Sequence, residues 1–262
     1  MAPSVERTAE LAAPASWRVI DFISDLHLAE DTPRTFTAWA DYLRATPADA
    51  VLILGDLFEA WVGDDASAEG FEASGAAVLA DASSRRAMGF MVGNRDFLVG
   101  TRLLEACGVI ALADPTVITA FDQRVLLAHG DAMCIADLPY QRFRRQVRSA
   151  EWQRAFLDRP LAERRAIARN LRSESQRQRV AAAPWIDVDT ATALDAMRTA
   201  NAAVLVHGHT HRPATEALAS GYRREVLSDW DFDHGLASRG EVLRWQAEGF
   251  TRLTPSAAAS RP

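Results

Sequence analysis

Carboxylate, carboxamide and imidazole side chains recur along this chain in short blocks: Asp25-Leu26-His27, Gly55-Asp56, Gly93-Asn94-Arg95-Asp96, His129-Gly130-Asp131 and His207-Gly208-His209-Thr210-His211. Oxygen and imidazole donors without a thiolate suit a borderline divalent cation such as Mn²⁺. Two such cations roughly 3.5 to 4 Å apart need a carboxylate between them and together clamp a phosphoryl group and orient water. Asp56 is the natural bridge. Asp25 and His27 leave one loop toward one cation, and Asn94, His129 and a late histidine supply the other. Singly, each block has an ordinary explanation, for a Gly-Asp pair starts many helices and an Asp-x-His can be a polar loop cluster. Together they read as one dinuclear site.

Each block follows an apolar run of strand character: Val19 to Ile23, Val51 to Leu54, Phe90 to Val92, Val125 to Ala128 and Val204 to Val206. All five would then sit at carboxyl ends of strands, where ligands bind in α/β sheets. Helices are expected from about Pro33 to Arg44 and Glu69 to Ser83, and this alternation implies an α/β core. Thr116 to Ala120 and Arg124 to Ala128 should form a hairpin turning at Asp122-Gln123. Between His129 and Ala203 the pattern becomes helical, with Tyr140, Phe143 and Val147, then Trp152 with Phe156, then Ile167 with Leu171 at helical spacing. The expected organisation is a domain over 17–253, a helical lid over 134–190 inserted within it, and disordered tails at 1–16 and 254–262.

The 262 residues, 48% of them hydrophobic, can bury a full core. The net charge is −6, yet from Asp137 to Arg179 arginines outnumber acidic residues twelve to five, so the lid is basic and the remainder strongly acidic. No lysine occurs, which excludes P-loop and Schiff-base chemistry. Cys107 and Cys134 form no CxxC pair, the expectation for a reducing, cytoplasmic address. No apolar run approaches the roughly 20 residues that cross a bilayer, and the first residues do not read as a signal peptide.

The ordered blocks resemble the calcineurin-like metallophosphoesterases, whose fold is a sandwich of two mixed sheets flanked by helices. The longer strings, Phe22 to Leu28, Leu54 to Asp65, Gly93 to Leu98 and His207 to Pro213, look like one branch of them, the UDP-2,3-diacylglucosamine hydrolases (diphosphatases) of lipid A biosynthesis. The resemblance runs from about Phe22 to Trp245. It implies two Mn²⁺ per chain, one on Asp25, His27, Asp56 and His211, the other on Asp56, Asn94, His129 and His209. The implied reaction is water attack on the α-phosphorus of UDP-2,3-diacylglucosamine, giving UMP and 2,3-diacylglucosamine 1-phosphate (lipid X). His27, Asp56, Asn94 and Arg95 would be catalytic, and Asn94, Arg95, Asp137, Ser175 and His209 would contact substrate. Arg179 and Ala182 stand where that branch leads one to expect Asn and Lys, and Arg179 is a candidate electrostatic replacement. His207 has no ligand role in the pattern and reads as a hydrogen-bonded strand-end residue. His234 matches no block, and Cys134 reads as a buried packing residue.

Many members of the wider superfamily have histidine where this chain has Arg95. Arginine cannot deliver a proton at neutral pH, and a phosphate leaving group with a second pKa of about 6 needs none. Arg95 is therefore expected to stabilise charge on the diphosphate, the bland alternative being an ion pair with Asp96 or Asp131. The apolar, arginine-rich lid could take acyl chains and meet anionic headgroups, making the enzyme peripheral on the cytoplasmic face of the inner membrane, or its stripe could simply be core. Three rivals remain. The first is a dinuclear pyrophosphatase for soluble nucleotide-sugars, the second a non-catalytic scaffold. The third is a nuclease, against which the acidic remainder stands, so no nucleic-acid partner is expected.

Overall fold

The computed structural model describes residues 8–180, 186–235 and 237–260, with side chains in 172–180 outside that description. In chain order the elements are β1 (Ala9–Ala12), β2 (Ile20–Ile23), α1 (Pro33–Ala45), β3 (Ala50–Leu54), α2 (Gly70–Ser83), β4 (Ala87–Met91), α3 (Thr101–Ala106), β5 (Ile110–Leu112), β6 (Thr116–Ala120), β7 (Gln123–Ala128), α4 (Leu138–Val147), α5 (Ala150–Leu157), α6 (Leu161–Val180), α7 (Thr190–Thr199), β8 (Val204–His207), β9 (Ala214–Ala219), β10 (Tyr222–Val226), β11 (Val242–Gln246), β12 (Gly249–Leu253) and α8 (Pro255–Ala259). They build two mixed sheets, ordered β1-β6-β7-β8-β10-β9 and β12-β11-β2-β3-β4-β5.

Strands β2, β3 and β8 are buried on both faces because each is covered on both sides. Phe22, Leu52, Leu54, Val125, Leu127, Val204, Val206 and Trp245 fill the space between the sheets. On the outer face of the second sheet, Val51 and Ile53 meet Trp39 and Leu43 of α1 and Leu79 of α2. On the outer face of the first, Leu126 and Leu205 meet Ala193 and Met197 of α7. Helices α4 to α6 lie in the stretch between β7 and β8. Asp137 and Ser149 start α4 and α5 by accepting amide protons from Tyr140 and Trp152. Trp152, Phe156, Leu161 and Ile167 join the outer core of the second sheet, whereas Leu138, Leu157 and Leu171 stay exposed. The apolar stripe read from the sequence is thus divided, part core and part surface.

Three expectations are corrected. Residues 8–16 are no frayed tail, because Ala9–Ala12 adds β1 parallel to β6 and Leu11 packs against the inter-sheet core; residues 1–7 lie outside the described residues. The segment after Leu253 is ordered through 260. Thr254 caps α8, Ala258 is fully buried, and the Ala258 carbonyl accepts from Arg244. Its run of small residues resembled a tail, yet small side chains are what allow so close an approach. The β6–β7 hairpin turns at Phe121-Asp122, both with positive φ, instead of Asp122-Gln123, since Gln123 already pairs with Ala120.

Candidate metal centre

All five blocks lie at or just beyond strand carboxyl ends: β2, β3 and β4 from one sheet, β7 and β8 from the other. The basin therefore straddles the two sheets. Its loops are laced by backbone bonds, Asp25 N–H to the Gly55 carbonyl at 3.1 Å and His27 N–H to the Asp56 carbonyl at 3.0 Å. Crowding explains the glycines. A Cβ on Gly93 would lie 2.1 Å from Asp56 Oδ1, and one on Gly55, at φ +91°, would lie 2.5 Å from His129 Nδ1. Asp25, His27, Asp56, His209 and His211 all adopt positive φ, a left-handed conformation costing about 1 to 2 kcal/mol each outside glycine. The strain aims short side chains inward.

Asp25, His27 and His211 bring ligand atoms within 4.8 Å of one another, as do Asp25, Asp56 and His129. Asp25, Asp56 and His129 are at most 1% exposed. Asp56 faces both groups, with Oδ2 3.9 Å from His27 Nε2 and Oδ1 3.7 Å from His129 Nε2. Asn94 Oδ1 is 2.9 Å from His129 Nε2 and 2.8 Å from His209 Nδ1. The structure thus brings together Asp25, His27, Asp56, Asn94, His129, His209 and His211, and it sets Asp25 beside both clusters as well as Asp56.

These donors fit cations. His27 Nε2 and His211 Nε2 face each other at 3.2 Å, a spacing that suits two lone pairs on one ion. His129 Nδ1 is 2.9 Å from the Leu54 carbonyl, which can only accept. Nδ1 therefore carries a proton, and Nε2 points at the basin, where a cation would take the place of any proton it holds. Charge agrees. Burial opposes ionisation of Asp25, yet hydrogen bonding and attraction from His211, with His129 and His27 behind it, hold it far below the usual carboxylate range. Burial likewise opposes a charged His129, but Asp56, Asp131 and Asp25 lift it to about 9. His209 is pushed down to about 4 by burial and by His129. A basin that holds buried carboxylates ionised attracts positive charge.

Four residues at the site escaped the sequence reading of roles. Asp96, fully buried, accepts from the amides of Gly93 at 2.7 Å and Leu57 at 2.8 Å, stapling the third block to the second; burial and the Asp56 charge raise it to about 6. Tyr140 and Arg144 reach in from α4. Tyr140 stacks on His209 with ring centroids 6.0 Å apart and donates its hydroxyl to Asp131, while Arg144 Nε bonds the same carboxylate at 2.8 Å. Glu59 stands between His27 and Arg95, its Oε2 3.0 Å from His27 Nδ1 and its Oε1 3.7 Å from Arg95 Nη1. The alternative considered for Arg95, an ion pair with Asp96 or Asp131, is not the one formed: its carboxylate partner is Glu59, because backbone amides and Arg144 already occupy Asp96 and Asp131.

Of the substrate candidates, Asp137 caps α4 and Arg95 lies at the basin. Ser175 and Arg179 belong to α6 with side chains outside the described set, and Ala182 is outside the described residues. His207 ends β8 with Nδ1 2.9 Å from the Gly208 carbonyl, and burial pushes it down to about 4. His234 bonds Asp231 on the surface. Cys134 is buried and pushed up to about 12 by that burial.

Comparison with known proteins places these residues in context. Residues 18–213 match the calcineurin-like phosphoesterase family. The chain is 43% identical over 238 residues to a UDP-2,3-diacylglucosamine hydrolase of Chromobacterium violaceum, covering 89% of this chain and 98% of that one. It is 44% identical over 239 residues to the protein of that name from Ralstonia nicotianae, covering 86% and 88%.

Proposed function

The chain belongs to the calcineurin-like phosphoesterase family, and from that premise we propose that it hydrolyses the pyrophosphate bond of UDP-2,3-diacylglucosamine in lipid A biosynthesis. Water attacks the phosphorus next to uridine, and the products are UMP and 2,3-diacylglucosamine 1-phosphate. The observation that carries this reading is the convergence of both donor groups on Asp56, in a chain whose relatives bear that substrate in their names.

Two Mn²⁺ per chain suit the oxygen and imidazole donors. Asp25, His27, Asp56 and His211 would hold one, and Asp56, Asn94, His129 and His209 the other. Such a pair supplies, when bound, Lewis acidity toward a phosphoryl oxygen and a lowered pKa for water. The protein's own groups do the rest. Asp56 offers one oxygen to each side, and Leu54 keeps His129 in the tautomer that presents Nε2. Arg95, whose Nε is buried without a partner among the described residues, turns donors toward the diphosphate and carries no proton to it. Asn94 and His209 flank the same phosphate. Asp137 keeps its second carboxylate oxygen for the sugar, and Ser175 and Arg179 complete that side.

The lid supports the lipid half of the proposal. Exposed Ile135, Leu138, Leu157 and Leu171 share α4 to α6 and their approach with exposed Arg142, Arg145, Arg154 and Arg159, a pairing suited to acyl chains and anionic headgroups. No helix among the described residues is long and apolar enough to cross a membrane. Association with the cytoplasmic face of the inner membrane would be peripheral.

Product analysis in ¹⁸O water tests the reading. With Mn²⁺, UDP-2,3-diacylglucosamine should yield labelled UMP, chelator should abolish it, and UDP-N-acetylglucosamine should be cleaved far more slowly. Equal cleavage of the unacylated compound would favour a soluble nucleotide-sugar pyrophosphatase. Label in the sugar phosphate would overturn attack at the α-phosphorus.

A further inference from the structure

Among the described residues, Glu59 is the carboxylate that lies against both a candidate metal-side histidine and the guanidinium of the arginine assigned to the diphosphate. Its position follows from the backbone. Leu28 N–H bonds the Leu57 carbonyl at 2.9 Å and Glu59 N–H bonds the Leu28 carbonyl at 3.1 Å, so the loops after β2 and β3 run side by side beyond the sheet. On the far side Trp61 N–H bonds the Arg95 carbonyl at 3.3 Å, which draws in the loop after β4. The Glu59 side chain is 13% exposed at the meeting point of the three loops.

We propose that Glu59 is a positioning residue that ties the ring orientation of His27 to the reach of Arg95 through the two oxygens of one carboxylate. The inference rests on the ligand role of His27 given above. His27 can present Nε2 beside His211 Nε2, 3.2 Å away, only if its proton sits on Nδ1. Glu59 Oε2, 3.0 Å from Nδ1 but off the line of a hydrogen bond, is the acceptor a small turn of the ring would engage. A carboxylate behind a ligating histidine fixes the tautomer and strengthens the donor. Oε1 meanwhile lies 3.7 Å from Arg95 Nη1, while Arg95 Nε lacks a hydrogen-bond partner among the described residues. A guanidinium anchored at one nitrogen keeps its remaining donors for an anion.

The chain treats its other metal-side histidines differently. His129 leans on the Leu54 carbonyl, and His211 Nδ1 lies 3.8 Å from Asp229, whose carboxylate is already bonded to Arg239 at 2.7 Å. Among the described residues, Glu59 alone connects such a histidine to the Arg95 guanidinium.

The test is Mn²⁺ titration of the metal-free protein, read by electron paramagnetic resonance and so independent of any substrate. Glu59→Gln should weaken one of two sites about 10- to 100-fold and leave the other unchanged, whereas Arg95→Ala should change neither. In steady-state kinetics the double variant should lose less than the product of the single losses, since both act on one linkage. Unchanged affinity at both sites in Glu59→Gln, or strictly multiplicative losses, would overturn the proposal. Should that variant fail to fold, ¹⁵N-imidazole spectra of the Mg²⁺-loaded wild-type protein decide. His27 protonated on Nδ1 supports the linkage, and His27 protonated on Nε2 rejects it. Wild-type protein that binds no Mn²⁺ at all would instead count against the dinuclear assignment itself, and Glu59 would lose its proposed role with it.

Discussion

The metal basin and the lid are held by different kinds of structure. In the basin, five loops from two sheets are joined by backbone hydrogen bonds, left-handed residues and glycines with no room for a Cβ. In the lid, α4 to α6 are attached partly by core aromatics and partly by single arginines. Arg144 reaches Asp131, Arg148 reaches the Gly93 carbonyl, and Arg164 reaches Asp65 and the Val62 carbonyl. A basin over-determined by its backbone can hold short ligands in strained conformations. A lid pinned largely by long cationic side chains has fewer fixed points and can shift or change sequence more readily. The difference suggests that this fold keeps chemistry and substrate selection on separately adjustable parts.

The largest effects should therefore come from the basin. Asp56→Asn should lose bound metal and activity together, by ~1,000-fold or more in kcat, about 4 kcal/mol of barrier, measured by metal analysis beside turnover. Activity retained with both metals in place would remove Asp56 from the bridge. Arg95→Ala should lower kcat ~100-fold, about 2.7 kcal/mol, with metal content intact. Unchanged turnover would confine Arg95 to its ion pair with Glu59 and blur the division between holding metal and stabilising charge.

The basin was also the more legible half. Each candidate ligand came in a short string at the end of an apolar run, and a strand's direction is enough to place such residues on one edge. Glu59, Tyr140 and Arg144 were not legible in the same way. Tyr140 and Arg144 sit on α4 at ordinary helical spacing, and only the docking of that helix brings them to His209 and Asp131. Glu59 lay inside a quoted string, but its orientation depends on the pairing of Leu28 with Phe58, which no local pattern reveals. Asp96 was visible as a neighbour of Asn94, while its role as acceptor for amides of the Asp56 loop is a long-range fact. The terminal elements β1 and α8 failed for a related reason, since four alternating residues or five small ones acquire structure only from the distant partners they meet.

Smaller effects are expected where the lid is pinned. Arg164 is nearly buried against half-exposed Asp65, so Arg164→Ala loses the Val62 and Asp65 bonds while Asp65 rehydrates. The cost should be about 1 to 2 kcal/mol, seen as faster amide exchange in α6 with metal affinity unchanged. Acid should mimic it. The Arg164 hydrogen bond holds Asp65 below its usual value, so the stabilisation is present above the unfolded carboxylate pKa and lost as pH falls through the folded one. Exchange in α6 should rise in that acid window, and Asp65→Asn should remove the pH dependence. If α6 exchange instead tracks metal loss at every pH, basin and lid form one unit.

The smallest effect tests whether the exposed lid residues meet lipid. Leu138 is 62% exposed at the start of α4, so it adds little to the folded core, and Leu138→Ser should leave the melting temperature nearly unchanged. If the residue covers an acyl chain, about 1 kcal/mol of contact disappears, and kcat/KM for UDP-2,3-diacylglucosamine should fall roughly fivefold. The slow cleavage of an unacylated UDP-sugar should stay the same, because the metal basin is untouched. An equal fall for both compounds would mean that α4 acts through Tyr140 and Arg144 on the metal side, and the separation of chemistry from selection would fail at the helix that joins them. A fall confined to the acylated substrate would locate the boundary within α4, between the face bearing Tyr140 and the end bearing Leu138.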